Sequence, residues 1–395
     1  MSFGGRPGSG FASAFDRSAA YSPPAPQAPS PAPAMPALVL PVRKGRTVSV
    51  WVFGALAFAL IALIAYFAVF IGAAASVIGL LLALVPLGIV LLGVRLIDRW
   101  EPEPKSLIVF ALGWGAVASV GITLLVDLLF ALSVGPRSAI FSSVIQAPIV
   151  EEIAKGFGVL LIYLIGRRAF DGPVDGVVYG ALVGAGFAFT ENIQYFGVSL
   201  LTGGAGELTL TFIMRGLVSP FAHAMFTALT GFAIGLAARR GATAAQALGA
   251  GSIGAVGAIL LHAYWNGSSL LGDFVVLYIT TQIPLFVGFI LAIIALRREE
   301  ARLTRERLGE YAAAGWFTPQ EVTMLATPAG RKAGMDWASG LRGDRRGLMR
   351  SFIREAAALA AVRQRAITGR DPHAAADEYA LLTSTRATRA QLLAY

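Results

Sequence analysis

Residues 75–97 read ASVIGLLLALVPLGIVLLGVRLI, with Arg95 the single charged side chain. A helix of that length rises about 1.5 Å per residue and crosses a hydrocarbon core about 30 Å thick. Working outward from this run, similar stretches recur along the chain. We read eight spans, at 48–70, 75–97, 107–133, 142–166, 174–197, 210–238, 245–267 and 272–296. Only 14% of the 395 residues are charged, against about 25% in an ordinary soluble domain. A soluble domain is excluded. The fold class is all-α, a polytopic transmembrane helical bundle of about eight spans.

Basic residues orient the spans. Arg43, Lys44 and Arg46 precede the first, and Arg95, Arg99 and Lys105 lie around the turn between the second and third. Arg167 and Arg168 separate the fourth and fifth, Arg239 and Arg240 the sixth and seventh, and Arg297 and Arg298 follow the eighth. On the other side the loops carry only Arg137, with Arg215 just inside the sixth span. Positive charge is retained inside, so the chain is expected in the plasma membrane, multi-pass, with both termini cytoplasmic and membrane lipids as partners.

The net charge of +9 sits in the flanks. Residues 1–46 carry five Lys/Arg against one acid, residues 297–395 carry 17 against 11, and the core between them carries 10 against 11. This pattern fits cytoplasmic retention better than a nucleic-acid interface, and no nucleic-acid partner is expected. Three regions follow. Residues 1–46 are a Pro/Ala-rich tail expected to be disordered, with no apolar segment of secretory type. Residues 47–297 are the transmembrane core. Residues 298–395 are a basic, helical cytoplasmic tail. In it, Phe352 to Arg365 is apolar on one face and basic on the other; solvated helices are the preferred reading, and a helix lying on the membrane surface is the alternative. The absence of cysteine excludes disulfides, thiolate metal sites and a cysteine nucleophile.

Ionisable side chains inside spans are costly and mark function. Glu151 and Glu152 stand about 100° apart on the fourth span, and Lys155 is four and three residues beyond them, within reach of one. Glu191 and Asn192 follow on the fifth span, after the small-residue run Gly180, Gly184 and Gly186. His223 lies in the sixth span and His262 in the seventh, with Asn266 on the same helix face as His262. Given the orientation above, all fall near the middle of the bilayer or in its outer half, so one shared, water-accessible cavity is expected. A lone span histidine or asparagine is as often packing glue as chemistry; the two adjacent glutamates with a third are not readily explained that way. Asp127 reads as structural, His373 as a solvated tail residue, and Asp98, Glu101, Glu103, Asp171 and Asp175 as loop or interface residues.

Taken together, Glu151-Glu152-x-x-Lys155, Phe187-Ala-x-x-Glu191-Asn192, Ala222-His223-x-x-Phe226-Thr227 and His262-x-x-Trp265-Asn266 resemble the motifs of the PrsW family of intramembrane proteases. So do Asp98-Arg-Trp-Glu101-Pro-Glu-Pro104 and Asp175-Gly-Val-Val-Tyr-Gly180. The resemblance covers roughly residues 95–270, and it extends distantly to the CAAX-protease and bacteriocin-processing superfamily. It implies hydrolysis of a peptide bond of a membrane-anchored protein near the extracytoplasmic side, with first-site cleavage of an anti-sigma factor as the family's role. Two mechanisms fit. In one, Glu151 or Glu152, helped by His223, activates water, and Asn192 or Asn266 with His262 stabilises the oxyanion. In the other, His223, His262 and Glu152 bind Zn and the remaining glutamate is the base. The first is preferred, since no His-Glu-x-x-His segment is present. A proton- or cation-coupled transporter and a non-catalytic membrane scaffold are the rival readings of the same buried groups.

Overall fold

A computed structural model describes residues 50–98, 103–167, 169–271, 273–369 and 373–394. The Pro/Ala-rich tail, Arg168 and the segment around Glu101 lie outside the described residues. Every element described is helical, as lipid requires of a chain that must satisfy its own backbone groups. Helices α1 (Val50–Phe70), α2 (Ala73–Ile97) and α3 (Lys105–Val134) come first. Helix α4 (Ala147–Ile165), α5 (Pro173–Thr211), α6 (Ala222–Arg239) and α7 (Ala244–Leu271) carry the polar motifs, and α8 (Ile283–Ala313) follows. The described residues are a multi-pass membrane bundle, with apolar side chains such as Phe58, Ile61 and Ile64 of α1 exposed on its outside.

Among the described residues six helical runs are long and apolar enough to cross a membrane, and the count of eight is not reproduced by that measure. The reasons are physical. Helix α4 carries Glu151, Glu152 and Lys155 within 19 residues. The fifth and sixth spans join in one helical run, Pro173–Arg239. That run is broken at Gly204, where φ is 63° and the backbone leaves helical geometry.

Four π-helical turns occur among the described residues, at Trp114–Ser119, Phe141–Gln146, Phe212–Val218 and Tyr278–Gln282. Such turns are frequent at functional sites. The second precedes α4 and the third precedes α6, the two helices that bring Glu151 and His223 into the core.

Glycine sets the spacing of α5 and α6. A Cβ on Gly180 would come within 2.6 Å of the Thr227 carbonyl oxygen and 2.8 Å of Ala228 Cα. One turn on, a Cβ on Gly184 would collide with the His223 carbonyl. On α6, Gly231 faces Gly176 in the same way. Gly186 turns elsewhere, against Leu112 and Ala116 of α3. The small-residue face expected from sequence is therefore shared between two neighbours, and at Gly184 it brings the α5 backbone against that of His223.

The tail is a separate compact unit beginning at Arg298. It contains α9 (Pro319–Ala326), α10 (Pro328–Ser339), α11 (Arg346–Thr368) and α12 (Ala374–Leu393). Phe352, Ile353, Ala356, Leu359 and Val362 of α11 are buried inside it. Phe317 and Phe352 meet ring to ring, and Arg363 pairs with Glu310 at 2.7 Å. The apolar face of α11 is enclosed by its own unit, which rules against the membrane-surface reading of that helix.

Glu103 lies in the loop before α3, as expected, and is buried there. Its backbone N–H donates to Asp98 Oδ2 at 2.9 Å, and Tyr179 Oη donates to its Oε2 at 2.5 Å. Burial raises the Glu103 carboxyl well above the usual carboxylate range. Asp127 is half explained: Gln146 Nε2 donates to its Oδ1 at 2.5 Å, with Arg137 3.9 Å away.

Candidate active site

Helix α4 enters through the π-helical turn and Pro148, and Trp114 Nε1 of α3 donates to the Ala154 carbonyl at 2.9 Å. That bond fixes the backbone next to Lys155. Lys155 is fully buried and reaches both glutamates, not one: its Nζ lies 2.5 Å from Glu152 Oε1 and 3.4 Å from Glu151 Oε2. The ammonium also lies 4.1 Å from the centre of the Phe187 ring and 3.3 Å from His223 Nδ1.

The two adjacent glutamates have different surroundings. Glu152 is fully buried and both its oxygens are engaged. Oε1 meets Lys155 and His262 Nδ1, the latter at 3.0 Å, and Oε2 accepts from Thr227 Oγ1 at 3.0 Å. Thr227 stands one turn after His223, on the same face of α6. Among the described residues no hydrogen bond reaches Glu151 Oε1, and its Oε2 has only the longer contact to Lys155. Glu151 is therefore the glutamate with acceptor capacity left.

The hydrogen bonds assign the imidazoles. A carboxylate only accepts, so His262 carries its proton on Nδ1 and presents a bare Nε2. That nitrogen is 3.9 Å from Glu151 Oε2. Two acceptors facing each other need a cation or a proton donor between them. An ammonium only donates, so His223 Nδ1 accepts from Lys155 and its Nε2–H donates to Glu191 Oε2 at 2.9 Å. The two imidazole rings meet edge to face, centroids 5.0 Å apart.

The same atoms bear on a metal. Glu151, His223 and His262 each offer a donor within 4.8 Å of the others. Two imidazoles and a carboxylate are a ligand set that zinc accepts. The Glu152 carboxylate behind His262 is the usual outer partner of a ligating histidine. The donor set therefore fits a divalent ion, provided His223 turns one nitrogen away from Lys155 or Glu191. The carboxylate in it is Glu151, whereas the sequence had pointed to Glu152. With neutral imidazoles, three carboxylates face Lys155 and Arg215, leaving the cluster one positive charge short.

Arg215 is the functional residue that sequence reasoning missed. It had served only as a marker of topology. It stands on the π-helical turn Phe212–Val218 and ion-pairs with Glu191 through Nη2. Its Nε donates to Asn192 Oδ1 at 3.0 Å, and its guanidinium lies 3.8 Å from the Tyr195 ring centre. The signal that could have found it is an arginine inside a span that also holds a buried histidine.

A cavity of about 250 Å³ adjoins these groups, lined by Glu191, Asn192, Arg215, His223 and Asn266 among others. Glu151, Glu152 and His262 are not in its wall and join it through His223. Asn266 Nδ2 donates to the Ser143 carbonyl at 2.8 Å, which leaves its oxygen free to accept and one N–H free to donate. The structure thus brings six of the seven sequence-selected residues into one connected cluster through Lys155 and Arg215, and places the seventh, Asn266, in the wall of the same cavity.

Comparison with known proteins agrees with this arrangement. Residues 103–292 match the family described as PrsW family intramembrane metalloprotease. Protease PrsW of Geobacillus kaustophilus (strain HTA426) is 34% identical over 142 residues, 35% of this chain and 58% of that protein. Protease PrsW of Clostridioides difficile (strain 630) is 33% identical over 157 residues, 39% of this chain and 63% of that protein. Protease PrsW of Bacillus subtilis (strain 168) is 32% identical over 140 residues, 35% of this chain and 60% of that protein. The chain spans about three fifths of the length of these curated relatives. No solved structure matches it. Residues 103–292, which contain the whole polar cluster, are thus similar to the PrsW family.

Proposed function

We propose that this chain is an intramembrane peptidase that hydrolyses a peptide bond of a membrane-anchored protein. The observation that carries the reading is the facing pair Glu151 Oε2 and His262 Nε2, 3.9 Å apart and joined through His223 to a polar cavity. In support, the matching family is described as intramembrane metalloproteases, and the relatives are named as proteases. The substrate class is a membrane-anchored anti-sigma factor, cut near the extracytoplasmic face, with both termini of the enzyme cytoplasmic. That part rests on the family resemblance and on the charge asymmetry of the loops.

Glu151, His223 and His262 would hold a divalent ion such as zinc, which when bound supplies a Lewis acid for water activation and carbonyl polarisation. The chain's own residues do the rest. Glu152 holds the His262 tautomer that leaves Nε2 bare. Lys155 neutralises carboxylate charge that would otherwise be isolated in the membrane. Glu191, at the cavity wall, takes the proton of the attacking water once His223 has turned from it. Asn192, whose oxygen is committed to Arg215, directs N–H groups at the developing oxyanion.

The test compares membrane peptides released by the unsubstituted chain and by Glu151→Gln, identified by mass spectrometry. Products with free new termini that are present only with the unsubstituted chain are expected. Identical peptide profiles overturn the peptidase reading. Cleavage that survives exhaustive chelation moves the chemistry to Glu151 acting as general base without a metal.

A further inference from the structure

Arg215 is held in place more firmly than an ion pair alone requires. Glu191 takes Nη2, Asn192 Oδ1 takes Nε–H, and Tyr195 stacks on the guanidinium. A guanidinium has five N–H donors in a fixed fork, and among the described residues no hydrogen bond uses Nη1. The side chain is still partly accessible, 27% by area, and lies in the cavity wall. Because Glu191 already neutralises the charge, the remaining donors suit a neutral acceptor better than a second carboxylate.

The two asparagines in the same wall are oriented in opposite senses. Asn192 turns its oxygen to Arg215, which leaves its Nδ2 hydrogens as donors. Asn266 turns its Nδ2 to the Ser143 carbonyl, which leaves its oxygen as an acceptor. Donors on one side and an acceptor on another complement a peptide group. In lipid a helix satisfies its own backbone, and a stretch unwound for attack exposes carbonyls that cost several kcal/mol each unless they are met.

We propose that Arg215 is a substrate-binding residue which, with Asn192, donates hydrogen bonds to a backbone carbonyl of a locally unwound membrane peptide. The identity of the occupant rests on the peptidase reading above. The site reads backbone and not side chain, so it tolerates varied sequence and selects for segments that unwind.

The experiment uses the full chain in lipid nanodiscs and fluorescein-labelled casein, an unfolded probe with unpaired backbone carbonyls. Arg215→Lys keeps a cation opposite Glu191 and gives up the fork. Casein affinity by anisotropy should fall about tenfold, the effect of losing one charged hydrogen bond. KM for casein cleavage should rise in parallel, and by a larger factor than any fall in kcat, since the interaction acts on bound substrate as well as on the transition state. A purely structural role would instead lower kcat and the unfolding midpoint with KM unchanged. Asn192→Leu should give the same loss of affinity if the lysine variant does not fold. Equal affinity across all three proteins, or no saturable casein binding to the unsubstituted chain, overturns the proposal. Casein that binds in an Arg215-dependent way and is never cut leaves the proposal standing and overturns the peptidase reading.

Discussion

Glu152 Oε1 and His262 Nδ1 lie 3.0 Å apart, and this contact decides which nitrogen of His262 is bare. Glu152→Gln keeps the shape but replaces the acceptor-only carboxylate by an amide that can accept or donate, so the tautomer of His262 is no longer dictated. Turnover should fall about 10- to 100-fold, the usual cost of an outer partner of a functional histidine. Glu151→Gln should remove turnover altogether. Quantified peptide products separate the two, and equal losses would show that the glutamates are not divided in role.

Lys155 is fully buried between two carboxylates. Lys155→Met leaves both without their nearest cation, and breaking a buried ion pair costs about 3–5 kcal/mol. A lowered midpoint in unfolding by denaturing detergent is the expected result. A midpoint unchanged from the parent would mean that the cluster is protonated enough not to need the lysine.

The α5–α6 contact makes a steric prediction. Gly184→Ala should force the helices apart at the His223 carbonyl, costing about 1–3 kcal/mol and lowering turnover as His223 shifts from Glu191. Gly88 of α2 has no neighbour within 4 Å of where a Cβ would stand. Gly88→Ala should therefore change stability by no more than about 1 kcal/mol, in the stabilising direction expected from helix propensity. Thermal melts of the two variants make the comparison, and a Gly184→Ala melt matching the parent would remove the spacing argument.

Glu103 predicts a pH dependence. Burial favours its neutral form, so its folded-state pKa stands above the unfolded value. Its contribution to stability is complete below the unfolded pKa, near 4.3 for a free glutamate, as an approximate reference. It is lost as pH rises through the raised folded value. Stability should decline with rising pH across that window, and Glu103→Gln, which still accepts from Tyr179, should flatten the decline. Melting temperatures at a series of pH values check this, and parallel curves for the two proteins would refute it.

The bundle was legible in the sequence because span length and apolarity act locally. The cluster was legible because the glutamates and histidines have no other reason to lie in apolar helices. The division of labour between Glu151 and Glu152 was not. The two are neighbours on one helix, and only contacts from α6 and α7, through Thr227 and His262, tell them apart. Arg215 was hidden for a similar reason, since its partner Glu191 is 24 residues away across the Gly204 break. The count of eight is not confirmed by length and apolarity alone, because α4 carries charge and Pro173–Arg239 is continuous. The burial of Glu103 in its loop was not legible because its partner Tyr179 stands 76 residues later.

Two of the cluster's ion pairs differ in what they need in order to form. Lys155 and Glu152 are three residues apart on α4, so this helix brings its own counter-ion as it enters the bilayer. Glu191 and Arg215 sit on either side of a backbone break, and neither is neutralised until both segments are in place. Were α5 in lipid before Phe212–Val218 had packed against it, Glu191 would stand without its cation while Glu152 already had one. Completion of the cavity and relief of that charge are then the same event.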